Sequence, residues 1–198
     1  MSVAFLEDSP LEHSRRANEA VGSTTTVIQQ HLTSFALQAV NFGASIHSAP
    51  MPPRYVAVCG DSDPRTRHKE AAREVGKLLA EAGAVVLCGG YGGVMEAVAE
   101  GAAGAGGTVV GILSEADRAG ANEYLTVALA TGLGQARNAV IATASDAVIA
   151  IGSAGWGTLS EIAHARRLGR PVVGLDTWKV EGLDQVASPA EAVGRVLA

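Results

Sequence analysis

Two cysteines, Cys59 and Cys88, are all the thiols in 198 residues, so neither a disulfide framework nor a cysteine-rich zinc site can be built. The histidines at positions 13, 31, 47, 68 and 164 include no H-x-x-x-H pair, and no metal site is expected. Aromatic residues make up only 4%, too few to line an aromatic groove. Basic residues are outnumbered, 15 Lys and Arg against 20 Asp and Glu, and the net charge of −5 argues against nucleic acid or a membrane surface as partner. No uncharged run reads as a membrane span, because the stretch 20–53 is rich in Thr, Gln, Ser and His. Arg15 and Arg16 are not followed by an apolar signal-peptide segment. A G-x-x-x-x-G-K-[ST] loop is also missing, which excludes a P-loop nucleotidase. The expectation left standing is a cytoplasmic protein.

What the chain does have is apolar and small. Apolar residues make up 47% and charged residues 18%, enough for a core and too little charge for a disordered chain. The 24 glycines exceed the usual share of ~7% and favour tight turns and close helix–sheet packing. At ~150 residues per domain, this length suits one domain with an appendage. The composition shifts near residue 50. Residues 1–53 read as an N-terminal appendage ending in a Pro-rich linker, Ser48-Ala-Pro-Met-Pro-Pro53, with a candidate helix over 25–41. Residues 54–198 read as one α/β domain.

Apolar runs alternate there with Ala-rich helical stretches. Strands are expected at Tyr55–Cys59, Ala84–Cys88, Thr108–Leu113, Leu125–Ala130, Ala147–Ile151 and Pro171–Leu175. Helices are expected at Thr66–Ala82, Gly93–Ala103, Ala136–Ser145, Thr158–Leu168 and Pro189–Leu197, the last capped by Ser188. Runs such as AVVL, TVVGIL and AVIAI lack polar alternation, as strands buried on both faces do. The fold class is therefore a Rossmann-like, doubly wound parallel sheet with helices on both faces. Ligands of such sheets bind at the carboxyl ends of the strands.

Three strand ends carry unusual sequence: Cys59-Gly60-Asp61-Ser62, Gly89-Gly90-Tyr91-Gly92-Gly93 and Gly152-Ser-Ala-Gly155-Trp156-Gly157-Thr158. Glycines let a ligand approach the backbone, and the free amides and dipole of a following helix favour an anion. Two such loops on neighbouring strands point to a phosphate-bearing ligand. Met95 follows the second loop and is a candidate pocket residue. Gly155-x-Gly157-x-x-Ser160 with Asp176 on the next strand imitates a dinucleotide fingerprint, but the third glycine is missing. Trp156 could stack on a ligand ring or cap a dimer contact, and Tyr91 likewise. Glu161, read as lying on the first turn after its loop, is either a pocket carboxylate or an acid that merely suits the dipole. Arg137, at another turn-to-helix transition, is either a ligand-facing cation or a surface one. Cys59 and Cys88 end adjacent strands and could meet at the pocket edge, although small buried thiols are the commoner case.

Together these residues resemble the Lonely Guy (LOG) family, close to the branch that includes molybdenum-cofactor carrier proteins. The LOG signature P-G-G-x-G-T-x-x-E is matched in its second half by Gly155-Trp-Gly-Thr-Leu-Ser-Glu161, with Ser153 and Ala154 in place of Pro and Gly. The family's Arg-Lys pair looks like Arg137-Asn138, with the lysine replaced. GGYGGVMEAV (Gly89–Val98) and CGDS (Cys59–Ser62) are similar to two further family segments, and the likeness spans roughly residues 55–176. The resemblance implies a homodimer or higher oligomer that binds a small phosphate-bearing ligand and needs no cofactor. It implies a phosphoribohydrolase that cleaves the N-glycosidic bond of a nucleoside 5′-monophosphate, with Arg137 and Glu161 catalytic. Gly60, Ser62, Gly89, Gly90, Gly92, Gly93, Met95, Asn138, Gly155, Trp156, Gly157 and Thr158 would then surround the ligand. The Arg-Asn pair and the GTLSEIA ending look closer to the carrier branch, which implies binding of a pterin phosphate, the molybdenum cofactor, without turnover. A nucleotide-sensing module without chemistry is a third reading.

Overall fold

A computed structural model describes residues 52–63, 65–152 and 155–198; residues 1–51 of the expected appendage, with its helix over 25–41, and Ser153 and Ala154 lie outside the described residues. Seven strands form one all-parallel sheet: β1 (Tyr55–Gly60), β2 (Val85–Cys88), β3 (Val109–Leu113), β4 (Val127–Ala130), β5 (Ala147–Ile151), β6 (Val172–Leu175) and β7 (Asp184–Val186). Their spatial order is β4-β3-β2-β1-β5-β6-β7. The order reverses between β1 and β5, and a crevice opens at such a switch point beyond the carboxyl ends of the strands. Five α-helices cover the sheet: α1 (Thr66–Glu81), α2 (Val94–Gly104), α3 (Arg137–Ala144), α4 (Trp156–Arg167) and α5 (Pro189–Leu197).

The central strands are apolar because both of their faces are covered. All five residues of β5 are buried. Val56, Val58, Val86, Ile149 and Ile151 join one core cluster with residues of α1, α2 and α5. Ala57, Cys59, Leu87, Val148 and Ala150 join the other, with residues of α3 and α4. This alternation separates the two thiols. Ala57 pairs with Leu87 in register, so Cys59 faces the α3–α4 layer and Cys88 the opposite layer. Proximity at a pocket edge is therefore ruled out by the strand register.

Local chemistry sets the helix ends. Ser188 accepts a hydrogen bond from the Glu191 amide at the start of α5, and Pro189 follows it. Gly83, at φ +75°, follows α1 in the left-handed conformation that favours glycine. Two elements depart from expectation. Helix α4 begins at Trp156 rather than Thr158, because Gly155 itself serves as the N-cap. Strand β7 was not expected: its three residues, Asp-Gln-Val, form no apolar run, and two of them are exposed at the sheet edge.

Candidate functional site

A cavity of about 470 Å³ opens at the carboxyl ends of the central strands. Gly60 and Ser62 supply its β1 wall, Met95 its α2 wall, and Arg137 and Asn138 its α3 wall; Gly155, Gly157, Thr158 and Glu161 come from the start of α4. The sequence-based candidates Arg137 and Glu161 thus border one hollow. Tyr91 lines it too, and so do Asp61, Ser114 and Gln135, which the sequence does not single out as ligand contacts. Asp61 lies within the CGDS segment, whereas the only signal Ser114 and Gln135 carry is position, close to a strand end or a helix start.

At one end of the cavity is the first turn of α4. Gly155 is the N-cap, so the cap residue itself offers no side chain, and the Asp61 carboxylate lies beside it, 3.3 Å from where a Gly155 Cβ would stand. Among the described residues, the first amide of the helix with a backbone partner is that of Leu159, bonded to the Gly155 carbonyl at 3.3 Å. The amides before it belong to the first turn, where the positive end of the helix dipole favours an anion. Thr158, itself buried, adds a hydroxyl at the same place. Asn138 acts as a tie between helices. Its amide nitrogen donates to Ser160 Oγ at 2.8 Å and to the Gly157 carbonyl at 3.4 Å, joining α3 to the first turn of α4. Because α4 starts early, Glu161 lies in its second turn rather than its first, below the rim and 7% exposed.

Arg137 stands on the α3 wall of the same cavity. It is 8% exposed and is the one buried Lys or Arg among the described residues. Nη1 donates to the Ile112 carbonyl at the end of β3, 2.9 Å away. The guanidinium carbon lies 5.7 Å from the centre of the Tyr91 ring, a cation–π distance. The phenol oxygen of Tyr91 in turn accepts the amides of Ser114 at 2.9 Å and Glu115 at 3.2 Å, which fixes the ring. Nε of Arg137 is buried without a partner, and among the described residues no carboxylate lies within 4.0 Å of its nitrogens.

Burial dominates the electrostatics of the cavity floor. It pushes the Glu161 carboxyl up to about 7, against the opposing pull of the Arg137 charge and a hydrogen bond from Cys59. The Cys59 thiol is raised well above its ordinary value, by burial first and then by the neighbouring Glu161. Near neutral pH the floor therefore holds a thiol and a carboxyl that exchanges its proton readily, facing a permanent cation.

The glycines of the second loop do a different job from the one expected. Gly89, Gly90, Gly92 and Gly93 are not in the cavity wall. A Cβ on Gly89 would overlap the Arg137 guanidinium, with Nη2 at 2.6 Å, so the missing side chain is the space Arg137 occupies. A Cβ on Gly93 would overlap the Asp61 carbonyl oxygen, and the amide of Val94, first residue of α2, is taken by that same oxygen at 3.0 Å. This loop clamps β1 to α2 and seats Arg137. Trp156 also lies outside the wall, 77% exposed, with its ring centre 5.8 Å from that of Trp178. Asp176, the acid of the dinucleotide pattern, is engaged elsewhere. It accepts from His68 Nε2 at 2.8 Å and pairs with Arg67 at 2.5 Å, and the His68 bond is the main cause that holds its carboxyl below the usual range.

Comparison with known proteins covers the same region. The family description "SLOG cluster4 family" matches residues 53–197. A protein of Archaeoglobus fulgidus is 46% identical over 123 residues, which is 62% of this chain and 80% of that protein. The molybdenum cofactor binding protein of the phototrophic bacterium Rippkaea orientalis is similar in structure, with TM-score 0.69 and 31% identity, over 75% of this chain and 99% of that one. A Moco carrier protein of Chlamydomonas reinhardtii aligns with TM-score 0.67 and 30% identity, over 73% of this chain and 96% of that one. DNA processing protein A of Streptococcus pneumoniae, at 19% identity and TM-score 0.60 over 72% of this chain and 61% of that one, shares the fold.

Proposed function

This chain belongs to the SLOG cluster4 family, and on that premise we propose that it binds a phosphorylated ring compound of the pterin phosphate type and holds it without turnover, as a molybdenum-cofactor carrier. The observation that carries this reading is the cavity itself, which brings a helix start with the Thr158 hydroxyl together with a buried guanidinium. The first suits a phosphate monoester, which accepts backbone amides and a hydroxyl. The likeness to the Rippkaea and Chlamydomonas proteins, over nearly their whole lengths, supports the pterin phosphate as cargo. Asn138 supports retention without chemistry, because its amide is spent on α4 where the hydrolase signature carries a lysine.

A second reading, N-glycosidic hydrolysis of a nucleoside 5′-monophosphate, is favoured by one observation. Glu161 shares the cavity with Arg137, and a carboxyl poised near 7 can act as acid or base at neutral pH. One experiment separates the two. Purified protein is incubated with AMP, CMP, GMP and a cytokinin ribotide while free base and ribose 5-phosphate are monitored. The same preparation is oxidised and assayed for fluorescent pterin derivatives. Copurified pterin without base release is the expected result; base release at catalytic turnover overturns the carrier reading.

A further inference from the structure

A carboxylate stands where the phosphate of a ligand is expected. Asp61 is buried in the cavity wall, with Oδ1 3.3 Å from where a Gly155 Cβ would stand at the start of α4. A helix start favours an anion, but a phosphate brought beside this carboxylate sets like charges together, and one of the two then gains affinity for a proton. The other oxygen of Asp61 points to where that proton can be kept. Oδ2 lies 2.8 Å from where a Gly152 Cβ would stand, and Nδ1 of His68 lies 3.0 Å from the same place. Both atoms therefore close on one side of Gly152, which has φ +80° and whose carbonyl accepts the Thr177 hydroxyl at 2.5 Å.

His68 is 6% exposed and is held from behind. Its Nε2 lies 2.8 Å from Asp176 Oδ2, and a carboxylate only accepts, which assigns a proton to Nε2. Arg67 Nε stands 3.4 Å from the same nitrogen, and Arg67 also pairs with Asp176. Asp176 is kept at φ +51°, the one non-glycine residue with positive φ among those described, a conformation that persists only where the surroundings hold it. Nδ1 is the reverse: buried and without a partner among the described residues. Without a proton it is a bare acceptor on the same side of Gly152 as a carboxylate. With one it is a donor there, and the orphaned position is satisfied.

We propose that His68 is a positioning residue of the anion site: when a phosphate group reaches the start of α4, Nδ1 takes one proton from solvent and draws the Asp61 carboxylate toward it, out of the place of the anion. The inference deepens the phosphate reading of the cavity and rests on it. One proton passes from water to Nδ1, no covalent bond of the ligand changes, and the imidazolium stands between the carboxylates of Asp61 and Asp176. Anion binding is thereby tied to pH, and the site holds its anion less well as pH rises. The charged groups about the ring are Arg67 on its own helix, Asp176 after β6 with Arg65 acting on it, and Asp61 after β1. Asp63, Arg137 and Glu161 line the cavity beyond, and Glu161 titrates near neutrality as well. A pH profile of the wild type alone therefore mixes two groups, whereas the ring nitrogens of His68 report one.

The full chain, labelled with nitrogen-15 in its histidines, is titrated at pH 8 with inorganic phosphate and with sulfate, a dianion that carries no proton of its own. Nitrogen chemical shifts read which ring nitrogens are protonated, and the His68 signals are those missing from His68→Gln. On saturation Nδ1 of His68 is expected to move from the unprotonated to the protonated range while Nε2 keeps its proton. Saturation with Nδ1 unmoved overturns the proposal and leaves the phosphate reading intact. Binding of neither anion overturns the phosphate reading and the proposal with it. Asp61→Asn covers the case in which His68→Gln fails to fold. With the carboxylate gone there is nothing to draw aside, so between pH 6.5 and 8.5 the sulfate affinity of the wild type should fall about tenfold more than that of the variant, the effect of one linked proton. Equal pH profiles for the two chains overturn the proposal.

Discussion

Glu161 shows how far one buried carboxyl can govern the behaviour of this protein. Its folded-state pKa of about 7 lies above the ordinary 4.5. Between those values the folded chain holds a proton that the unfolded chain has released, so stability falls as pH rises through this window and levels off above it. The difference corresponds to something on the order of 3 kcal/mol. Glu161→Gln removes the titration; thermal midpoints measured from pH 4.5 to 8 should decline for the wild type and stay level for the variant. A wild-type profile as level as the variant's would show that Glu161 is ionised throughout. Gly89 governs Arg137 in a different currency, that of space. Gly89→Ala places a methyl group where the guanidinium lies, in a backbone conformation open to alanine. The chain should still fold, with less pterin copurifying per mole of protein than with the wild type; unchanged pterin content would mean that Arg137 adapts. These two residues mark the limit of what the sequence discloses at this scale. Glu161 and Arg137 stand out because charges are rare in glycine-rich strand ends. The service of Gly89 to Arg137, nearly fifty positions on, and the commitment of Asn138 to α4 depend on three-dimensional neighbours that no local pattern encodes.

Among the elements, the pair α1 and α2 is packed most tightly at glycines. A Cβ on Gly101 would overlap the Arg73 carbonyl oxygen, and one on Gly76 would overlap that of Val98. The two helices therefore approach backbone to backbone, each supplying a glycine to the other. Gly101→Ala improves intrinsic helix propensity by up to ~1 kcal/mol but forces the helices apart, an overpacking cost of about 3 kcal/mol. The net effect should be a loss of roughly 2 kcal/mol in urea unfolding; a variant as stable as wild type would show that the helices separate freely. The glycines at these positions are invisible as a packing device from sequence, where a helical glycine reads only as a weak residue. Element types were legible elsewhere because buried parallel strands are continuous apolar runs. The α4 start was missed by two residues because Trp156 and Gly157 are poor helix signals, although Gly155 makes an adequate N-cap. Strand β7 was missed because an edge strand with two exposed residues needs no apolar pattern.

For the molecule as a whole, the all-parallel order β4-β3-β2-β1-β5-β6-β7 decides where function can sit. Helices leave β1 and β5 toward opposite faces, and the cavity forms where they diverge, so the site is a property of the topology before it is one of the side chains. The crevice was foreseeable from the βα alternation, but its contents were only half so, since Ser114 and Gln135 reach it without a distinctive motif. Among the described residues, those that line the cavity all belong to the compact unit Pro52–Ala198, and the family match spans 53–197. That unit holds the seven-stranded sheet, both helical layers and the described lining of the cavity. A chain beginning at Pro52 should therefore unfold in a single cooperative transition and bind inorganic phosphate as tightly as the full chain. Circular dichroism melts and phosphate titrations of the two chains side by side provide the check: a shortened chain that folds and no longer binds would show that the first 51 residues complete the site.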